Sequence, residues 1–463
     1  MFDTIIRNGT LVSASGTRNA DIGISNGKIQ EIYECGEERE AAQIIDATGK
    51  LVFPGLIDSH VHLNHPNKCG NIIDTVYTGT KSAAFGGDTT VCDFAIQWDK
   101  DKAIDKTCVD RKEFIGKETV IDYTFHACPT VSAPETIEKI GELIDGEVPS
   151  VKLYMTYSRQ NRMADDAVLY ETLKKTAENG GIVGVHAEND QMCCYYSDQF
   201  AAENKTDPHY FPLCKTNIVE AEAVNRAVYL AKMSKGNLFI FHVSCKESLD
   251  IIRKAKAEGV NVYAETCIHY LTMDLSWYDR EDGARFICSP PLRTKEDVDA
   301  LWEAINDGTI SVVTSDHCGF TTENKAFGNN EFAKTPNGLP GMETRLFALY
   351  TYGVKTGKIT MNKMVELLST NPAKIFGMYP EKGSLEVGTD ADLVLFDTEA
   401  DRIIGVDNLH SVVDWNPYGG CKLYGRVEYV LLRGEVIVDG DDLKVEPGFG
   451  RFISRKKENI CKM

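Results

Sequence analysis

A chain of 463 residues, 43% hydrophobic and 26% charged, has the make-up of an ordinary globular protein with room for one large domain and a smaller companion. Its formal charge of −19 argues against nucleic-acid or anionic-membrane partners, both of which need a basic face. No apolar run approaches the ~20 residues of a membrane span, and the start MFDTIIRNGT resembles no secretory signal, so a cytoplasmic chain is expected.

Residues 1–53 alternate short β-type runs with turns, as in DTIIRNGTLVSA and NADIGISNGKIQEIY, each with an NG pair that suits a hairpin. Residues 54–380 alternate strands with amphipathic stretches. The strand candidates are LIDSHVHL, TTVCDFAI, VIDYTFHA, SVKLYMT, GIVGVHA, NLFIFHVS, VNVYAET and ISVVTSD. Between them lie helical segments such as DAVLYETLKKTAENG and KESLDIIRKAKAEG, the latter closed by a C-capping glycine. Strands that each feed a helix predict a (β/α)8 TIM-like barrel of the α/β class. The β pattern returns over 381–445, in GTDADLVLFDTE and GRVEYVLLRGEVIVDGDDL, so both chain ends are expected to build one small β-sandwich domain. Residues 446–463 form a basic, Gly-broken tail.

Barrel chemistry sits at the C-terminal ends of the strands. The conspicuous polar residues of these apolar runs fall there: His60 and His62 on strand one, Lys152 on strand four, His186 on strand five, His242 on strand six and Asp316 on strand eight. Side chains two apart on a strand point the same way, so His60 and His62 face one side together, as two ligands of one metal must. Each residue alone has a plainer explanation. An HxH also occurs in surface turns, a histidine closing a strand is more often structural, Lys152 could snorkel, and Asp316 could cap a helix. Six such residues at one rim favour a metal site for zinc, manganese or cobalt. The fourteen cysteines include no CxxC pair and read as reduced core thiols, so histidines and carboxylates must supply the ligands. Lys152 has no lone pair for a metal while it is an ammonium. Only carboxylation by carbon dioxide would make it a bridging ligand.

HVH after a β-rich segment, with Lys152, His186, His242 and Asp316, resembles the amidohydrolase superfamily in its two-metal, carboxylated-lysine subclass. FPGLIDSHVHL, SVKLYMTY, GVHAEND, FHVSC, ETCIHYLTMD, CSPPLR, TSDHC, TPNGLPGMETRL and the tail GFGRFISRK are similar to the dihydropyrimidinase and D-hydantoinase family over nearly the whole chain. The resemblance implies two divalent ions, most simply Zn2+ with Mn2+ or Co2+ as alternatives. His60, His62 and Asp316 would hold the first, His186 and His242 the second, and N6-carboxylated Lys152 both. It also implies that Tyr157 assists catalysis, and that backbone groups at Ser289 and Asn337 hold a cyclic ureide. The activity implied is ring opening of a hydantoin, dihydropyrimidine or related cyclic ureide to an N-carbamoyl amino acid. Asp316 would act as ligand and as proton carrier to the leaving nitrogen. An allantoinase-like or purine-derived ureide hydrolase is the alternative, and a non-catalytic assembly protein is a further one. Family tails of this kind pack on neighbouring subunits, so a homo-oligomer, most simply a tetramer, is expected.

The chain departs from the family pattern around the expected gate. After the HxH stands LNHPNKCGN, where His65 and Asn67 replace the usual apolar pair and Lys68 follows, and YSRQNRMAD adds Arg159 and Arg162. Either these side chains face solvent or they make a polar, cationic gate that favours polar or anionic ring substituents over benzyl ones. His126, His209, His269, His317 and His410 read as structural.

Overall fold

The alternating runs of the first fifty residues form β1 (Phe2–Ser13), β2 (Gly16–Ser25), β3 (Lys28–Tyr33), β4 (Ala41–Asp46) and β5 (Leu51–Pro54) in the computed structural model, which describes residues 1–66, 72–327 and 331–463. Asn26 and Gly27, with φ of 53° and 75°, make the two-residue turn that joins β2 to β3. The gate candidates Asn67 and Lys68 lie outside the described residues.

The middle of the chain supplies eight parallel strands. They are β6 (Leu56–Asp58), β7 (Asp88–Ile96), β8 (Asp122–Cys128), β9 (Ser150–Tyr154), β10 (Ile182–His186), β11 (Asn237–Ile240), β12 (Val262–Cys267) and β13 (Val312–Thr314), in spatial order β6 to β13. The ring is completed just beyond β6 and β13, where Val61 bridges His317 and the His62 N–H donates to the His317 carbonyl at 2.9 Å. Every residue of β7, β8, β9 and β10 is buried, as parallel strands covered on both faces require. The seam is held by Arg345, only 1% exposed. Its Nη1 donates to the carbonyls of Ile57 (3.1 Å) and Val313 (2.9 Å), and its Nη2 pairs with Asp88. Asp58 faces the same guanidinium and also accepts from the N–H groups of His60 and Ser315. Removing one partner of such a buried set typically costs ~3–5 kcal/mol.

β14 (Leu393–Ile403), β15 (Lys422–Leu432), β16 (Glu435–Asp439) and β17 (Asp442–Leu443) return to the N-terminal strands. β5 lies between β1 and β14, so both chain ends share one mainly antiparallel nine-stranded sheet. Ile6, Ile22, Val52, Leu393 and Leu431 fill its core. Buried Lys382 ties this unit to the barrel, donating to Asp392 at 2.6 Å and to Asp122 of β8 at 2.7 Å.

The C-terminal tail lies against its own barrel. Tyr123 and residues 451–453 exchange backbone hydrogen bonds at 2.9 and 2.8 Å. Arg455, fully buried, donates to Ser150 Oγ at 2.8 Å and to the Phe125 carbonyl at 2.6 Å. These contacts lie at the start of β8 and β9, so the tail covers the rim opposite His60 and Asp316.

Candidate active site at the C-terminal rim

His60 and His62 follow β6 directly and, as their spacing predicts, turn to one place. His60 Nε2 lies 3.1 Å and His62 Nε2 3.3 Å from Asp316 Oδ1. These three groups offer ligand atoms within 4.8 Å of one another. Behind them, His60 Nδ1 stands 2.5 Å from Glu265 Oε1 on β12, which also accepts from the His242 N–H at 3.2 Å. A carboxylate on the rear nitrogen fixes the tautomer and leaves Nε2 for the cavity.

His186 and His242 face each other with ring centroids 4.4 Å apart, and His242 is 5.5 Å from His60. Burial holds both His60 and His242 well below the ordinary imidazole pKa, and it lowers His186 as well. Neutral rings keep the lone pair a metal needs. Lys152 lies among these residues and is 1% exposed. Its Nζ is 3.7 Å from the centre of the Phe241 ring and 5.5 Å from Phe94, and no described carboxylate forms an ion pair with it. Gly184 on β10 makes room for this arrangement, since a Cβ there would stand 2.0 Å from the Phe241 ring. Burial lowers the Lys152 amine to about 8, against the opposing pull of Glu265 and Asp316.

Tyr157, His242 and Asp316 have φ of 71°, 41° and 45°, left-handed values that cost a non-glycine residue on the order of 1–3 kcal/mol. Three such residues at one rim mean that the surrounding fold holds them there. The Tyr157 ring is 5.1 Å from His186, and burial pushes its hydroxyl up to about 12, so it remains a proton donor. Ser289 Oγ donates to Glu188 Oε2 at 2.9 Å, and the same carboxylate oxygen meets His186 Nε2 at 2.6 Å and Lys215 Nζ at 2.7 Å. Asn337 is half-buried and follows Pro336. Lys325, fully buried, joins the two segments by donating to the carbonyls of Ile287 (2.8 Å) and Pro336 (2.7 Å). Gly338 adopts φ 142°, where a Cβ would meet Cys318 Cβ at 2.5 Å, so the turn after Asn337 requires glycine.

The expected gate residues separate. His65 is 4% exposed and bonded through Nε2 to Asp93 at 3.1 Å, with Arg111 paired to that carboxylate. Burial lowers it to about 4, so it is a neutral core group instead of a gate residue. Arg159 turns outward and pairs with Asp198 at 2.8 and 2.5 Å. Among the described gate candidates, Arg162 alone stays half-buried beside the rim, its guanidinium 4.2 Å from the Trp98 ring centre. The other histidines have protein partners or lie apart. His126 bonds Ser150 and the Ser59 carbonyl, His317 bonds Asp74, His410 bonds Glu343, and exposed His209 bonds Asp279. His269 is buried and its Nε2 has no described partner.

Sequence reasoning missed Glu265, Glu188, Lys215, Lys325 and Trp98. A glutamate inside the apolar run VNVYAET was the one signal that could have pointed to Glu265.

The amidohydrolase family model matches residues 51–437. A D-hydantoinase of Ralstonia pickettii is 42% identical over 458 residues, covering 98% of this chain and 99% of its own. A solved D-hydantoinase structure superposes with a TM-score of 0.95 at 41% identity, covering 98% of this chain and 99% of the other. A dihydropyrimidinase from Brevibacillus agri NCHU1002 gives 0.95 at 39% identity, with the same coverage. Barrel and end-built sheet agree with this likeness, and the chain belongs to the amidohydrolase family.

Proposed function

We propose that this chain is a metal-dependent cyclic-amide hydrolase that opens a hydantoin, a dihydropyrimidine or a related cyclic ureide. The observation that carries this reading is the convergence of His60, His62 and Asp316 beside His186, His242 and Lys152 on one rim. The donor set fits two divalent ions. His242 Nδ1 and Glu265 Oε2 are buried without a described partner, and the Lys152 amine faces aromatic rings instead of a counter-charge. A neutral ε-amine that added to carbon dioxide and lost one proton would become a carbamate, an anionic oxygen donor for the ions. Zinc suits these nitrogen and oxygen ligands, as manganese and cobalt do.

When bound, the ions supply an acidified water and a polarised ring carbonyl. The chain's own residues do the rest. Water adds to the carbonyl carbon, and Asp316 takes its proton. The Tyr157 hydroxyl donates to the oxygen that gains charge, a contact of a kind worth ~3–4 kcal/mol. The ring C–N bond then breaks, and Asp316 returns the proton to the departing nitrogen. Backbone groups at Ser289 and Asn337 hold the ureide, with Lys325 keeping the two segments at a constant distance.

Metal analysis of the purified chain, with a screen across hydantoin, dihydrouracil, allantoin and dihydroorotate, tests this reading. The expected result is about two ions per chain and opening of hydantoin or dihydrouracil. Metal-free protein that opens no ring would leave the non-catalytic assembly protein as the better account.

A homo-oligomer, most simply a tetramer, is proposed as the working form. Ile218, Tyr229 and Met233 are each more than half exposed along the helix Asn217–Ser234, an apolar face that suits a second copy of the chain. Sedimentation at micromolar concentration should show the oligomer, and Met233→Glu should weaken it. A wild-type monomer would overturn the proposal. Deletion after Pro447 acts first on the barrel, because Arg455 is buried there.

A further inference from the structure

Among the described residues, the rim carries a cation, Arg162, that has no carboxylate partner and that the chemistry above does not use. Arg162 lies at the end of the turn that begins at Tyr157, and its N–H donates to the Tyr157 carbonyl at 3.2 Å. A short turn therefore separates it from the residue assigned to the oxyanion. Its guanidinium stacks on Trp98, whose Nε1 donates to His65 Nδ1 at 3.4 Å. His65 in turn is bonded to Asp93, and Asp93 is paired with Arg111. The outcome is a partly buried chain of hydrogen bonds that ties a half-exposed indole to the core, with a cation on the indole's face.

The described neighbouring cations are engaged elsewhere. Arg159 is paired with Asp198, Lys100 donates to the Asn161 carbonyl, and Lys215 is paired with Glu188. Arg162 has no carboxylate within ion-pair distance among the described residues. The path from the metal-ligand candidates to this cation is short, with the rings of His62 and His65 5.9 Å apart and those of His65 and Trp98 6.2 Å apart. A surface arginine stacked on an exposed ring is common and worth little by itself. Here the ring is anchored from the core, and the cation stands beside the site.

We propose that Arg162, held on Trp98, receives an anionic substituent of the cyclic ureide, so that carboxylate-bearing rings are this chain's preferred substrate class. A guanidinium and a carboxylate match in charge and in geometry. A benzyl group placed against Arg162 would strip water from the cation and return no hydrogen bond. The proposal rests on the cyclic-amide reading, and unsubstituted hydantoin serves as the reference that separates the two.

The test is kcat/KM of the metal-loaded full chain for carboxymethylhydantoin, benzylhydantoin and hydantoin. The wild type should prefer carboxymethylhydantoin to benzylhydantoin by about ten- to hundredfold, the scale of one polar contact. Arg162→Met should lower the carboxymethyl-to-hydantoin ratio at least ~10-fold, mainly through KM, whereas Arg162→Lys should restore part of it. Raising the ionic strength should lower the wild-type ratio as well, a readout that needs no variant. A clear wild-type preference for benzylhydantoin overturns the proposal, and so does an Arg162→Met ratio equal to that of the wild type. Opening of none of the three rings would instead remove the cyclic-amide reading, and this inference with it.

Discussion

Lys152→Ala is expected to lose bound metal and ring-opening activity together. The side chain is 1% exposed, with the rings of Phe94, Tyr154 and Phe241 around its amine on the rim that carries His60, His186 and His242. An ammonium in that place is costly because it is desolvated and no described carboxylate pairs with it directly. As a carbamate it would bring negative charge to a ligand set built largely from imidazoles. Truncation to alanine removes that charge and leaves a void beside Phe241. Metal content should fall from about two ions per chain to well below one, and kcat/KM should drop at least ~10³-fold, about 4 kcal/mol of transition-state stabilisation. Mass spectrometry under conditions that preserve carbamates should find the extra carboxyl group on Lys152 of the wild type. A fully active, metal-free Lys152→Ala protein would sink the mechanism.

Asp316→Asn should separate the two duties of that residue. Asp316 Oδ1 stands between His60 Nε2 and His62 Nε2, and 16% exposure of its side chain opens it to the cleft. Burial pushes the carboxyl up, but His60 and His62 pull harder, so the group is held below the usual carboxylate range and stays ionised. An ionised carboxylate can accept the proton that water gives up. Asparagine keeps the shape, and it tolerates the left-handed backbone at φ 45°, so strain does not confound the comparison. It cannot accept and return a proton. The variant should retain part of its metal and lose at least ~10²-fold in kcat, the low end for general acid–base catalysis. Near-normal turnover at full metal occupancy would show that another group moves the proton.

Much of this molecule is legible in local pattern. Eight apolar runs separated by helical periodicity were enough for the barrel, because burial on both faces demands continuous hydrophobic strands. Alternating residues at both ends and the NG turn at Asn26–Gly27 were enough for the end-built sheet, although the other NG pair, Asn8–Gly9, is a bulge inside β1 instead of a turn. The candidate ligands were visible because a histidine, a lysine or an aspartate closing an apolar strand stands out against its neighbours. What tertiary structure alone decided is how polar residues pair across the barrel. Glu265 meets His60 from 205 positions away, Ser289 meets Glu188 from 101, and Arg455 reaches Phe125 from 330. His65 and Arg162 looked equivalent as gate residues in the sequence. In the fold one is a neutral, buried partner of Asp93 and the other a cation on the face of Trp98. Local sequence sets which side of a strand a residue faces, since that follows from backbone geometry over two or three positions. Whether a charge is neutralised, desolvated or left free depends on groups brought near by packing, and packing is a property of the whole chain.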